Sequence, residues 1–500
     1  MPLRTTIVLL AALATASAGC FQGPSDPSST DPGSPPAFAP LDGLVASDPV
    51  RISPEGHRMA EFQVARSPVD PERLLVTILD YDSAGLACTA FLSTDGGRSW
   101  SDVGPIPGMD RAHIRFDAWA SFDAEGNAHL MCLDTEGDAR TVVLYSHSRD
   151  GGVTWQQAQQ IPTRVDGMSV DKDSLLAAAD GSVYAAFRDY AATGRDAGAD
   201  EPYGVVVAIS RDGGATWDRP VHIGPSTTPN GFLEAPDGAL YLLTLGSTDA
   251  GRDFRVWVSS DRGVTWNPTV VGPFVIPPGY NDQNRWVDQR PWTTMPDMTL
   301  RASDGHLFAV AQSWDETQES YRIHLHRSAD GAATFQAVPT PTFESSTCPD
   351  CHVTKPTVTV DAAGRLGLQV QLTVDGATRK EVWFAASADD GATWTQPVLL
   401  SATDVPSFWA HPMDLTPQPS SLVATATYLA ENPTDAHGVA VGVGLSTLVS
   451  ELQLRWNGEY WQITSSPHGF VALYIEHSAD GIPELWSRVV APKADAAGTT

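Results

Sequence analysis

The chain is predicted to be all-β, a β-propeller built from four-stranded antiparallel blades. Three observations carry this. An eight-residue turn motif recurs six times. A second repeat, a Gly turn followed by an apolar strand, precedes most of its copies. And 42 Gly, 38 Pro and 15 Trp among 500 residues supply tight turns and bulky plugs for many short strands.

The turn motif reads STDGGRSW at Ser93 to Trp100, SRDGGVTW at Ser148 to Trp155 and SRDGGATW at Ser210 to Trp217. It continues as SSDRGVTW at Ser259 to Trp266 and SADDGATW at Ser387 to Trp394, with a decayed copy, SADGAATF, at Ser328 to Phe335. Successive Ser positions differ by 55, 62, 49, 69 and 59 residues, a spacing suited to one blade per copy. In each copy the carboxylate of Asp95, Asp150, Asp212, Asp261, Asp330 or Asp389 can accept backbone N–H groups and close the turn. The Gly admits positive φ, and the terminal Trp plugs the space between layers.

The second repeat sits about two dozen residues before most boxes. It opens at Gly126, Gly181, Gly238, Gly305 and Gly364, each followed by an apolar run such as SVYAAF or ALYLLTL. Each unit then reads strand, Gly turn, strand, loop, strand, Asp turn, strand, which is a propeller blade. Leu422 to Leu448 offers two further strands without a box. Gly469 opens a last unit through Val490 that lacks a fourth strand, and Pro49 to Ser53 is placed to supply it, so that no sheet edge stays open. The count is eight blades, with seven the alternative if the last units share strands differently.

The ends are read separately. Arg4 and the apolar run Ile7 to Ala16 form an export signal, so residues 1–19 are a signal peptide. Ser17-Ala18-Gly19-Cys20 reads as a lipobox that would acylate Cys20; Ala16-Ser17-Ala18 also suits ordinary cleavage and simple secretion. Removing Cys20 leaves Cys88, Cys132, Cys348 and Cys351, an even set for an oxidising compartment. Residues 20–40, rich in Pro, Ser, Gly and Asp, read as a flexible tether. The propeller then spans 41–491 and a short tail 492–500. The balance of 31 Lys+Arg against 60 Asp+Glu, a net charge of −29, repels phosphate backbones and excludes nucleic acid as partner.

With its S-x-D-x-G-x-T-W boxes, the chain resembles the sialidase superfamily, whose members carry this Asp box (the bacterial neuraminidase, or BNR, repeat) on a propeller. The resemblance covers roughly Met59 to Val490. It implies boxes on the outer turns, away from the active centre. It also implies glycan chemistry at the channel mouth: in that family three Arg clamp the sugar carboxylate, a Glu-activated Tyr is the nucleophile and an Asp is the acid/base. The family's first Arg lies in a Phe/Tyr-Arg-Ile-Pro string. Val50-Arg51-Ile52-Ser53-Pro54 lacks the aromatic and reads as the closing strand. Pro229 stands where the family's Glu would fall before Phe232 to Gly238.

Loops entering the innermost strands line the mouth of a propeller's channel, and polar residues there are what a ligand site needs. The candidates for catalysis are Arg58, Arg115 and Arg290 as a clamp, Asp117 as acid/base, and Tyr460 beside Glu459 as nucleophile. His57, His113, Asp171, Asp173, Lys355 and His411 line the mouth, together with Glu61, Lys172 and Asn230. The string Cys348-Pro349-Asp350-Cys351-His352 admits three readings: a loop disulfide, c-type haem attachment, or a metal site shared with other mouth histidines. No cofactor is required. A Cys88–Cys132 disulfide would staple the first blade to the second.

The function expected is a monomeric, envelope-anchored propeller that binds or processes a glycan through its channel mouth. If it is an enzyme, it is a glycoside hydrolase of exo-α-sialidase type. A scaffold that binds envelope proteins is the alternative.

Overall fold

The computed structural model describes residues 41–82, 85–109, 115–136, 140–164, 168–191, 204–224, 228–248, 251–275, 295–345, 351–373, 379–404, 461–479 and 482–493. All described residues lie in one compact unit, Phe38–Thr500. The signal peptide, Cys20 and the tether lie outside them. Among the described residues no helix is long and apolar enough to cross a bilayer.

Seven antiparallel sheets stand as blades. Blade 1 runs Arg58–Arg66, Leu74–Asp82, Gly85–Ser93, Ser101–Asp102, and blade 2 Arg115–Phe122, Ala128–Glu136, Arg140–Ser148, Gln159–Ile161. Blade 3 is Met168–Ala177, Val183–Ala191, Gly204–Ser210, Val221–Gly224, and blade 4 Thr228–Glu234, Leu240–Thr248, Gly251–Ser259, Asn267–Pro273. Blade 5 is Asp297–Arg301, His306–Asp315, Ser320–Ser328, Gln336–Val338, and blade 6 His352–Val360, Leu366–Thr373, Arg379–Ser387, Val398–Asp404. In all six, each strand pairs with the next in sequence, so every blade is a simple meander. The first strand of each blade is innermost and neighbours the first strands of adjacent blades.

Blade 7 closes the ring. Its inner strands are Thr464–Ser466, Gly469–His477 and Pro483–Pro492. The expected closing strand is present: Val50 faces Ser487 and Arg51 faces Trp486. Leu44–Ala46 extends it along the same edge, Leu44 facing Pro492. The N-terminal side of the domain thus covers an edge that the last three strands leave open.

The blades number seven, the alternative held beside eight. Val382, Phe384, Ala386 and Leu400 of blade 6 share one apolar cluster with Phe470, Ala472 and Tyr474 of blade 7 and with Met59, Phe62 and Leu74 of blade 1. Phe384 and Phe470 lie with ring centroids 5.1 Å apart. Blades 6 and 7 pack directly on each other, so no sheet stands between them. The strands expected over Leu422 to Leu448 lie outside the described residues.

The remaining core is likewise shared between neighbours. Between blades 2 and 3, for example, Trp119, Met131 and Tyr145 pack on Val170, Leu175 and Phe187. Burying an aromatic or branched side chain of this kind contributes roughly 1.5–3 kcal/mol, and each interface holds about a dozen. Cys88 and Cys132 are bonded, with Cα atoms 6.4 Å apart, and join blade 1 to blade 2 as expected.

The Asp boxes are near copies of one another. In the third, Asp212 accepts the Thr216 N–H at 2.8 Å and the Thr216 hydroxyl at 2.6 Å. The Ser210 hydroxyl donates to Asp212 at 2.8 Å and accepts the Gly214 N–H at 2.8 Å. These bonds, the Thr216 hydroxyl first, hold the Asp212 carboxyl down at about 2. The decayed copy keeps the same closure through Asp330, Thr334 and Ser328. There Ala332, at φ 65°, occupies the left-handed position that Gly fills elsewhere.

Each box also meets the preceding blade. The Tyr145 hydroxyl of blade 2 reaches the Gly213 carbonyl of the third box at 3.3 Å. A Cβ on Gly214 would lie 2.1 Å from that hydroxyl. Tyr184 of blade 3 meets the Arg262 carbonyl of the fourth box in the same way, at 3.4 Å. The boxes therefore latch neighbouring blades as well as closing their own turns.

Candidate functional site

At the opposite end of the strands, the inner edge of the ring departs from regular pairing. Register shifts interrupt the inner strand between Ala60 and Phe62, Phe116 and Trp119, Asp171 and Asp173, Pro229 and Phe232, and Thr354 and Thr357. Each is a bulge near the start of the strand, and each holds a residue of positive φ: Glu61 (53°), Asp117 (51°), Lys172 (52°), Gly231 (89°) and Lys355 (51°). A bulge leaves its extra residue unpaired and re-aims the side chain. Positive φ on a non-Gly residue is costly and persists where the surroundings enforce it. Here five blades repeat the device, and four of them place a charged residue on it.

The bulges of blades 1 to 3 form one electrostatic group. Lys172 Nζ lies 3.6 Å from Asp117 Oδ2, bridging adjacent blades. Asp173 follows Lys172 and is fully buried. Neither Asp173 oxygen has a hydrogen-bond partner. Burial first, then the Asp117 carboxylate, push the Asp173 carboxyl well above the usual range; Lys172 opposes this, and Asp171 and Glu61 add to it. On the far side of the ring, Lys355 is buried, with Nζ 5.3 Å above the Trp461 ring. Its backbone N–H donates to Gln312 Oε1 at 3.1 Å.

Between bulges, side chains stitch neighbouring inner strands where no ladder joins them. Gln462 accepts from the Val64 N–H at 3.1 Å, and Ser121 from the Ala177 N–H at 2.9 Å. Asn230 donates to the Pro296 carbonyl. Asp297 accepts from the Val358 N–H at 2.8 Å. Burial pushes the Asp297 carboxyl up to about 7, despite the Val358 and Met298 N–H groups that favour its charged form.

Of the residues singled out from sequence, the structure brings together Asp117, Asp171 and Asp173, joined by Glu61 and Lys172. His57 stands at the entry to blade 1, its Nδ1 3.0 Å from both oxygens of buried Asp80. Arg58 opens the same strand and is half-buried. Arg115 is buried and engaged within blade 2: Nε lies 3.6 Å from Asp134, and Nη2 donates to the Gly108 carbonyl at 3.4 Å. Cys351 is disulfide-bonded, so it holds no free thiolate for haem or metal. His352 is buried; its Nδ1 accepts the Tyr321 N–H at 3.0 Å and its ring stacks on Trp314. Among the described residues no three His, Cys, Asp or Glu side chains converge as a metal set. His113, Arg290, Cys348, His411, Glu459 and Tyr460 lie outside the described residues.

Sequence reading missed Asp80 and Asp134, the second-strand carboxylates behind His57 and Arg115, and also Asp297 and Trp461. One signal was available for the bulges. RMAEFQ, RFDAWA, SVDKDS and HVTKPT each carry a charge inside a strand that is otherwise buried, where an unperturbed strand would place an apolar residue.

Residues 74–272 match the BNR repeat-like domain, the stretch that holds the first four Asp boxes. The match covers blades 1 to 4 of the β-propeller. No curated protein matches it in sequence. Among solved structures, the chain is similar to a Hadza microbial sialidase (13% identity, 89% of this chain and 95% of that one, TM-score 0.42). It is also similar to the Streptococcus pneumoniae NanB sialidase (11%, 67% and 68%, 0.43) and to the Penicillium chrysogenum α-L-arabinanase (16%, 66% and 94%, 0.43).

Proposed function

We propose that this BNR-repeat propeller is exported, anchored to a bacterial envelope through lipid on Cys20, and binds or processes a glycan at the mouth of its channel. The observation that carries the site is the repeated bulge on five inner strands. Strain recurring at one level of a ring, with Glu61, Asp117, Lys172 and Lys355 on it, is costly to a fold that needs only packing. Such charged groups, set by rigid strands, suit the hydroxyl-rich surface of a sugar. A buried carboxyl that favours its neutral form, Asp173, beside an ion-paired one, Asp117, is also a starting point for acid/base work on a glycosidic bond.

The test is a glycan array probed with the full chain, followed by turnover of fluorogenic glycosides, sialosides among them. The expected result is selective binding that weakens at least about tenfold in Asp117→Asn, without loss of the fold. An array with no binder contradicts the glycan reading and leaves the scaffold alternative. For the anchor, the expected result is a detergent-phase protein that becomes soluble in Cys20→Ala.

A further inference from the structure

The charge balance at the bulges bears on which glycan the site accepts, and the inference drawn from it rests on the glycan reading above. Glu61, Asp117, Asp171 and Asp173 come from three consecutive inner strands, and the first three lie within electrostatic reach of Asp173. Lys172 is the cation in their midst, and it is committed to Asp117 at 3.6 Å. Arg115, the Arg nearest in sequence to Asp117, is committed to Asp134 and to the Gly108 carbonyl. Even with Asp173 neutral, the carboxylates of Glu61, Asp117 and Asp171 outnumber Lys172, so this group of residues is rich in acceptors and net negative.

Asp173 adds a second, independent sign of a ligand. It is fully buried, and neither oxygen is hydrogen-bonded. Native folds rarely leave such a group unmet, because its desolvation is not repaid. A hydroxyl from outside the protein, donor and acceptor at once, can satisfy a neutral Asp173 carboxyl; a carboxylate brings like charge toward Glu61, Asp117 and Asp171 in a poorly screened site.

We infer that this group selects sugar residues presenting hydroxyl or ammonium donors, and rejects sugars that carry a carboxylate. The specificity is thus the inverse of an arginine-clamp site.

The experiment is an array of matched pairs, neutral or amino sugars against counterparts bearing sialic or uronic acid, probed with the full chain near pH 7. The expected binders lack a carboxylate, and the matched acidic glycan binds at least about tenfold more weakly. Glu61→Gln, which removes a charge, narrows that gap. Asp171→Asn, at a half-buried position, is the second variant in case the first does not fold, and it narrows the gap as well. Binders that carry a carboxylate overturn the inference while leaving the glycan reading intact. An equal response to both members of each pair, or a gap that neither variant changes, also overturns it. An array with no binder overturns the glycan reading itself.

Discussion

The two ends of this propeller are built by opposite rules. At the Asp-box end the same eight residues make the same bonds in blade after blade, down to a 2.6 Å hydroxyl contact in boxes two to six. At the bulge end the same distortion recurs, but its occupant changes: Glu61, Asp117, Lys172, Gly231, Lys355. Constant chemistry on a repeated turn is what a fold needs to latch its blades. Varied chemistry on a repeated distortion is what a binding surface needs. The comparison teaches that the most conspicuous motif is the structural one, and that the functional candidates sit where the repeat stops being uniform.

Substitutions at the two ends should separate accordingly. The largest effect is expected from Gly214→Ala. Its φ is +88°, and the new Cβ would meet the Tyr145 hydroxyl at 2.1 Å. Strain and overpacking together cost about 4 kcal/mol, read as a lower denaturant midpoint. Gly152→Ala offers the control, because its Cβ meets nothing nearer than 3.6 Å and only the φ of +96° is at issue. A loss of about 1–2 kcal/mol is expected there. Equal losses at the two sites would contradict the latch between boxes and neighbouring blades.

Removing the Cys88–Cys132 bond, which spans 44 residues, is expected to cost about 3 kcal/mol. Non-reducing melts of the wild type and of a Cys88→Ala, Cys132→Ala variant check this, because reduction would also open the Cys351 disulfide.

The bulge end has a pH signature of opposite sign to the boxes. Asp297 binds its proton more tightly folded, at about 7, than its ordinary 3.8. The folded state therefore holds more protons between those values, and stability falls as pH rises from about 4 to about 7. Asp297→Asn is expected to remove that slope, an effect on the order of 4 kcal/mol by pH 8. Asp212, held at about 2, works the other way. Its contribution is present above pH 4 and is lost as pH falls toward 2. Denaturant titrations across pH 3–8, wild type against Asp297→Asn, distinguish the two.

The smallest effect expected is a gain. Ala332 sits at φ 65° where other boxes have Gly, so Ala332→Gly relieves strain and should stabilise by about 1 kcal/mol. A loss would mean that the Ala332 methyl, fully buried in the core between blades 4 and 5, outweighs its backbone strain.

Much of the box end was legible because its bonds are local. Ser210, Asp212, Gly214 and Thr216 lie within seven residues, so spacing alone specifies the closure. The closing strand at Val50–Arg51 was legible from its composition and from the last blade's missing partner. The blade count was not, because it depends on blade 6 meeting blade 7 through Phe384 and Phe470, 86 residues apart in sequence. The bulges were half-legible. Asp117 or Lys355 in a buried strand marks an irregularity, but which residue is unpaired depends on the register with the next strand. The partners Asp80 and Asp134 come from that second strand, and no spacing rule announces them. The membership of Cys351 in a disulfide was one of the readings its sequence allowed.

The central claim is that the box end holds the ring together while the bulge ring holds the ligand. The most direct measurement is titration of the strongest array glycan into wild type, Asp117→Asn and Asp212→Asn, with a thermal melt of each. The expected outcome is affinity lost at least about tenfold in Asp117→Asn with little change in melting temperature. Asp212→Asn should melt earlier and bind as wild type does. Unchanged binding in Asp117→Asn, together with lost binding in a still-folded Asp212→Asn, would contradict the account.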